Sequence, residues 1–452
     1  MASYSLNIED GIRVDKKTFQ ICQNLEKSYR TMISARGKIN NFINLAKTRT
    51  AKQTGALYAA QILAMALGFI TVSIVTRTLG PEKYGILAFI LAAITFISLF
   101  FEFGFFSAGA RLLAISRSKR RDQELIGALT LITVGISLSF FLVLFIFSFF
   151  IDSIFRTSAG NILRSISMLA AIVPFQYMLR QVCKGTNKIK KMAIANVTPR
   201  LWYLAGLLVV VCFLKLDVFL ALILNLTGII VAIILIIQSL KPKFNNLKEN
   251  LKIISKETRE YGFHVYCGRV VDLSTYQLDK IFISYFLNTL WVGFYNLAMV
   301  ITSPMALFSR ALSTSLFKGF AKRDEIPQKV ILFNFLWLAS CAIGLTLLGK
   351  YIVVILFSDK YLPAVPLILP LVLAGFFQGM YQPYNMFVAS HRKGKWMRDV
   401  AFIMAGVNFI GNISLIPLFG AIGAGYASAF SMGFSLIVHF YNYRRALKSE
   451  TI

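Results

Sequence analysis

Apolar residues in this chain gather into long blocks separated by short polar segments. Six blocks lie near 55–76, 84–110, 125–151, 161–183, 192–214 and 218–240, and six more near 261–287, 290–316, 330–357, 362–389, 399–417 and 421–442. A helix needs about 20 apolar residues to cross a hydrocarbon layer of about 30 Å, so the pattern predicts twelve transmembrane helices. Composition agrees: 57% of the 452 residues are apolar and 15% are charged, with a mean hydropathy of +0.66. That balance excludes a water-soluble enzyme. The least regular blocks are the one at 161, which holds Arg164, Pro174 and Arg180, and the one at 261, which holds Arg269, Asp272, Asp279 and Lys280.

Charge tests the count of spans. The chain has 48 Lys and Arg against 20 Asp and Glu, a formal charge of +28, which in a soluble chain would suggest nucleic acid. Here the position of the charges decides. From the N-terminal tail through the successive loops to the C-terminal tail, the basic residues number 10, 2, 5, 1, 4, 1, 6, 0, 4, 2, 4, 0 and 3. Cytoplasmic loops retain Lys and Arg, and this alternation never breaks. It puts 36 basic residues on the cytoplasmic side and six, Arg77, Lys83, Arg156, Lys215, Lys350 and Lys360, on the other. Both termini are then cytoplasmic, and a missed or surplus helix would invert the order from that point. The charge needs no nucleic-acid partner.

The expected fold class is an all-α polytopic membrane protein, with two six-helix lobes around a central cavity. The longest internal basic loop divides the spans evenly. The reading is a basic cytoplasmic tail over 1–54, an N-lobe over 55–240, a basic linker over 241–260, a C-lobe over 261–443 and a tail over 444–452. Lobes with an even number of spans enter the membrane in the same direction, so a repeat would have its pseudo-two-fold axis along the membrane normal. Residues 1–54 lack the apolar run of a cleavable signal. The stretch 19–45 reads either as a helix on the anionic inner leaflet or as a basic tail. Five cysteines, Cys22, Cys183, Cys212, Cys267 and Cys341, form no C-x-x-C pair and imply neither a disulfide framework nor a metal site.

Apart from Lys350, counted with the outer side at the end of its block, six basic residues fall inside spans: Arg164, Arg180, Arg200, Arg269, Lys280 and Arg310. An ionised side chain deep in a bilayer costs at least ~2.5–3.5 kcal/mol, so such groups face a bundle interior or a wet cavity. Arg269, Asp272, Tyr276 and Asp279 or Lys280 recur at helical steps on one stripe. Thr95, Ser98 and Glu102 do the same on the second span, Asn196, Arg200 and Tyr203 on the fifth, and Asn296, Ser303 and Arg310 on the eighth. Gln378, Tyr381, Gln382 and Asn385 follow on the tenth, and Asn408 and Asn412 on the eleventh. A shared cavity accounts for so many one-sided helices.

Each residue also has a structural reading. Arg180 and Arg310 could extend to the cytoplasmic headgroups, and Arg164 to those of the opposite face. Arg269 and Asp272 could neutralise each other three residues apart. Asp279 and Lys280 lie nearer the outer face, where a structural pair is expected. Arg200 has no acid nearby in sequence and is the first choice for an anionic ligand. Glu102 is read as its partner across the cleft or as a proton carrier raised by burial. A cavity with more cations than acids suits an anion. Guanidinium forks match phosphate oxygens, and Tyr203, Gln378 and Asn385 would suit sugar hydroxyls. Motifs for ATP, zinc proteases and serine hydrolases are missing, and only three histidines occur. No cofactor is expected beyond a possible coupling H+ or Na+.

Three stretches carry a family resemblance. Thr76-Arg77-Thr78-Leu79-Gly80-Pro81-Glu82-Lys83-Tyr84-Gly85, after Gln61 and before Phe103-Gly104 and Ala110-Arg111, resembles an R-x-L-G-P-x-x-Y-G turn. Leu278-Asp279-Lys280-Ile281 followed by Val292-Gly293-Phe294-Tyr295-Asn296-Leu297-Ala298 is similar to a second motif. Asn408, Asn412 and the run Ile416-Pro417-Leu418-Phe419-Gly420-Ala421-Ile422-Gly423-Ala424 are similar to a third. Together they cover about residues 51–443, and they resemble the Wzx-type polysaccharide and O-antigen flippases of the multidrug/oligosaccharidyl-lipid/polysaccharide exporter superfamily. The resemblance implies a two-lobe transporter that moves an undecaprenyl-diphosphate-linked oligosaccharide from the inner to the outer leaflet by alternating access, in a bacterial cytoplasmic membrane. It also implies a polysaccharide polymerase and a chain-length regulator as partners. It carries over Arg200, Arg269 and Arg310 as cavity cations. The alternative within the superfamily is a proton- or sodium-coupled exporter of small molecules. A membrane-embedded glycosyltransferase is disfavoured by the short outer loops.

Overall fold

The computed structural model describes residues 49–449 apart from 117, 322, 392 and 393. It does not describe the side chains of residues 49–58, 189, 272, 273, 276, 318, 394, 395, 448 and 449. Residues 58–452 form one compact unit, and no strand occurs among the described residues. The helices are α1 (Arg49–Leu99), α2 (Phe105–Ile115), α3 (Lys119–Phe155), α4 (Gly160–Ala170), α5 (Val173–Gly185), α6 (Ile189–Phe213), α7 (Val218–Leu240) and α8 (Leu247–Glu257). They continue as α9 (Phe263–Phe286), α10 (Thr289–Thr302), α11 (Pro304–Ser315), α12 (Phe317–Phe320), α13 (Gln328–Leu356), α14 (Val365–Ser390), α15 (Gly394–Phe419) and α16 (Ala421–Ser449).

Nine described stretches are long and apolar enough to span a bilayer, and α10 with α11, bent by 43°, makes a tenth. Ala59–Leu99 contains two of the expected spans. They join at Gly80, whose φ of 75° and ψ of 172° interrupt the helix ahead of Pro81. α9 supplies the twelfth, 24 residues long but carrying Arg269, Asp272, Asp279 and Lys280. The apolar character of these helices continues all round. On α3, Thr133, Ile136, Phe140, Leu144, Ser148 and Ile151 are buried, while Val134, Leu138, Leu142, Phe145 and Phe149 are exposed. Both faces are mainly hydrophobic, which a helix tolerates when its outer face meets lipid.

Three expected spans are broken. The second stops at Leu99 and resumes at Phe105. Between them Phe103 (φ 49°) and Gly104 (φ 84°) adopt left-handed conformations, which cost little only at glycine. The fourth divides into α4 and α5 ahead of Pro174, and the eighth bends at Pro304; proline lacks the amide hydrogen that would continue the ladder. The expected 241–260 loop is largely helical, because α8 and a π-turn over Thr258–Gly262 run directly into α9.

The most extensive helix packing lies within each half of the chain: α6 with α7, α3 with α4, and α2 with α5 in one, and α16 with α14 and α15, and α9 with α15 in the other. The halves meet at two levels. Near the α1 kink, Tyr361 donates to the Thr76 carbonyl at 3.0 Å and Arg77 Nε to the Leu356 carbonyl at 3.1 Å. Gly85 has no room for a side chain there, since a Cβ would lie 2.1 Å from the Thr289 carbonyl oxygen. At the second level a Cβ on Gly104 would lie 2.4 Å from the Gly262 carbonyl carbon. Tyr266 donates to the Phe100 carbonyl at 3.0 Å, and Arg111 pairs with Glu257 at 2.6 Å.

Candidate functional site

Arg200 follows Pro199 in the interior of α6, where the proline removes one hydrogen bond of the helical ladder. Its Nη1 donates to the Ala64 carbonyl on α1. Gly68, one turn along α1, makes this approach possible, because a Cβ there would lie 3.0 Å from Nη1. The residue is otherwise exposed, and among the described residues no carboxylate pairs with it. The neighbouring charge that acts on it is a second cation, Arg180, exposed on α5. Two guanidiniums with no acid paired to them among the described residues concentrate positive charge here. Tyr203, one turn beyond Arg200, is half-buried against the main core and lies beside Tyr84. Tyr84 in turn accepts a 2.7 Å bond from Asn296 Nδ2 across the two halves.

The remaining cations are placed differently. Arg269 pairs with Glu102, which is 6% exposed at the break between α1 and α2. The expected pairing of Glu102 with Arg200 is therefore corrected: the partner sits on α9, because the left-handed turn at 103–104 brings Glu102 against that helix. Arg164 lies over the Phe149 ring, 3.7 Å from its centroid, and its Nε is 3.4 Å from Ser148 Oγ. It packs on α3 and is not brought to Arg200. Arg310 is exposed on α11, and no carboxylate pairs with it among the described residues. Asp272 and Tyr276 stand on α9, but their side chains lie outside the described residues.

Asp279 forms a buried centre of its own. At 2% exposure, its Oδ1 accepts from Asn408 Nδ2 at 3.1 Å and Asn412 Nδ2 at 2.8 Å, and its Oδ2 from Tyr295 at 2.5 Å and Ser428 at 2.6 Å. A carboxylate is an acceptor only, so these four neutral donors hold α9, α10, α15 and α16 together. Sequence reasoning placed Asn408 and Asn412 toward a shared cavity. The structure turns both inward to this carboxylate, since an unpartnered buried acid is the costlier alternative. Lys280, next in the chain, is half-buried. On α14, Gln378 is half-buried and Gln382 buried, while Asn385 has a buried Oδ1 without a hydrogen-bond partner.

Tyr295 and Ser428 were missed by sequence reasoning. Tyr295 lay within a quoted motif, but Ser428 carried no signal beyond its helical register with later polar residues. A surface concavity of about 510 Å³ between α9 and α15 is lined by His264, Cys267, Gly268, Arg398 and Asp399 with two apolar residues, and contains none of the expected ligand groups. Among the described residues no cluster of His, Cys, Asp and Glu has metal-ligand geometry.

Residues 50–322 match the family described as polysaccharide biosynthesis protein. The probable low-salt glycan biosynthesis flippase Agl15 of Haloferax volcanii is 21% identical over 86% of this chain and 82% of its own length. An uncharacterized membrane protein of Methanocaldococcus jannaschii is 30% identical over 43% of this chain, and the match spans 41% of that protein. Among solved structures, the lipid II flippase MurJ in an inward closed conformation superposes with a TM-score of 0.68 at 16% identity, covering 86% of this chain and 89% of that one. An inward-facing multidrug resistance transporter of the MATE family and MOP superfamily gives 0.66 at 14% identity, covering 85% and 95%.

Proposed function

From its membership of the polysaccharide biosynthesis protein family, we propose that this chain is a flippase that moves a lipid-linked oligosaccharide between the leaflets of its membrane by alternating access. The protein is a multi-pass helical membrane protein with the two-lobe fold of this transporter superfamily. The observation that carries the cargo assignment is Arg200 with Arg180 as its neighbouring charge, two cations that no acid pairs with among the described residues. A phosphate or diphosphate linker would take the free face of Arg200 while Nη1 stays anchored to Ala64. Tyr203, Gln378 and Asn385 are the residues we assign to the glycan, and Arg269 and Arg310 to the cationic route beside it. Undecaprenyl diphosphate is the carrier that the family resemblance implies, with the cytoplasmic membrane as the site of action and both termini inside. A polymerase and a chain-length regulator are the partners on the same reading.

In cells, Arg200→Ala should abolish the surface glycan with the membrane level of the protein unchanged, and Arg269→Ala should do so with the level corrected for stability. Wild-type glycan in both variants would sink the site assignment.

A second reading is favoured by one observation. Glu102 Oε1 is buried without a hydrogen-bond partner, which suits a carboxyl that exchanges a proton in an ion-coupled exporter of small molecules. Loss of efflux of a cationic dye in Glu102→Gln, with surface glycan untouched, would select that reading.

A further inference from the structure

On α16, Ser428, Ser431, Ser435, His439 and Asn442 recur at steps of three and four residues and so share one stripe. All five are buried, at 8, 0, 1, 5 and 7% exposure. A polar stripe is expected on the wet side of a helix, yet this one faces the interior, where α16 packs along α14 and α15. Its first member, Ser428, donates to Asp279 Oδ2 at 2.6 Å. Ser431 donates to the Met404 carbonyl at 2.7 Å. Beyond them Ser435 Oγ and His439 Nδ1 are buried without a protein partner. The His439 ring stacks on Tyr381 of α14, 4.9 Å between centroids. With a rise of 1.5 Å per residue, Ser428 to Asn442 covers about 21 Å, more than half of a hydrocarbon layer of about 30 Å.

Buried polar atoms without protein partners are the ordinary binding sites of internal water. We propose that this stripe binds a file of water that carries protons between the Asn442 end of α16 and the Asp279 carboxylate, so that the coupling ion of this chain is a proton. The proposal rests on the transporter reading above.

The geometry at Asp279 separates the roles of its two oxygens. Oδ1 is held by the amides of Asn408 and Asn412, which cannot reverse a hydrogen bond, and Oδ2 by the hydroxyls of Tyr295 and Ser428, which can. A proton arriving from the file binds Ser428 Oγ as the Ser428 hydroxyl proton passes to Oδ2. Ser428 ends neutral, the carboxylate becomes a carboxyl, and the water that gave the proton is restored by the next along the file. The titratable and charged neighbours are few: Lys280 on α9 and Tyr295 on α10 beside Asp279, and Tyr381 on α14 against His439. Between the two ends the stripe itself carries one titratable group, His439, which stands on the path of the proton as a member of the file.

The test uses the full-length protein in lipid vesicles transferred to D2O. The infrared carboxylate band assigned to Asp279 by its absence from Asp279→Asn shifts when the Ser428 and Tyr295 hydroxyls that donate to it exchange for deuterium, and so reports exchange without requiring transport of any cargo. His439→Phe, which keeps the stack on Tyr381, and Ser435→Val should each slow deuterium exchange at Asp279 at least tenfold with the melting temperature unchanged. Proton flux, read with an enclosed pH dye under an imposed potential, should fall by the same factor. Wild-type exchange in both variants would overturn the proposal, as would ion flux in the native protein that follows Na+ and ignores pH. Absence of glycan flipping by the native protein, with exchange slowed in both variants, would refute the flippase reading and leave the water file standing.

Discussion

Arg269 on α9 ends on Glu102, the residue at which α1 and α2 separate, and so ties the two halves of the chain together within the membrane. Removing one member of a buried pair leaves an uncompensated charge, at about 3–5 kcal/mol. Arg269→Ala should therefore lower the melting temperature of the purified protein more than Arg269→Met/Glu102→Gln does. Equal melting of the single and double variants would show that the pair does not hold this contact.

Asp279→Asn presents an amide NH2 to donors that need an acceptor. Unsatisfied buried groups cost about 1–3 kcal/mol each, and at least one of the four donors loses its acceptor. The expected loss is about 2–5 kcal/mol, measured as denaturation in detergent. Gly135→Ala, where a Cβ meets nothing within 4 Å, should lie within about 1 kcal/mol of the native protein, the range of helix propensity.

Gly68→Val tests the seat of Arg200 without touching a charge. Its side chain would enter the space of Nη1, which lies 3.0 Å from a Cβ at this position. Surface glycan should fall at least tenfold, as in Arg200→Ala, at an unchanged protein level. Full glycan in Gly68→Val would mean that the anchored position of the guanidinium is immaterial.

Gly85→Ala should keep the α1 kink from seating on the second half, because the obstacle is the Thr289 backbone at 2.1 Å rather than a movable side chain. Cysteines placed at Ser73 and Leu356, whose residues are in hydrogen-bond contact, should cross-link readily in the native background. In Gly85→Ala the yield should fall at least fivefold.

The membrane-spanning character was legible because lipid imposes one rule on every helix: a long apolar block. Basic-residue alternation then agreed with that count, including the block that becomes α9, whose four charges make it the least regular. Breaks within spans were less visible. Pro174 and Pro304 stand at two of them, within blocks read as continuous spans, and the left-handed turn at Phe103 and Gly104 depends on contact with Gly262 from a distant segment. Charge partners were the least legible. The stripe on the eleventh span was correctly seen as polar, but periodicity does not say what a stripe faces, and Asn408 and Asn412 face Asp279. Glu102 and Arg269 are far apart in sequence, and only the fold brings them together.

Gly104 and Gly262 touch through main chain alone, and the whole of α9 follows Gly262 on one side of that point. Such a joint acts as a fulcrum. α9 is 24 residues long, or about 36 Å, so a tilt of about 10° around the glycine pair would sweep its far tip through about 6 Å at that length. A small rearrangement beside Glu102 would then be magnified toward the far end of α9.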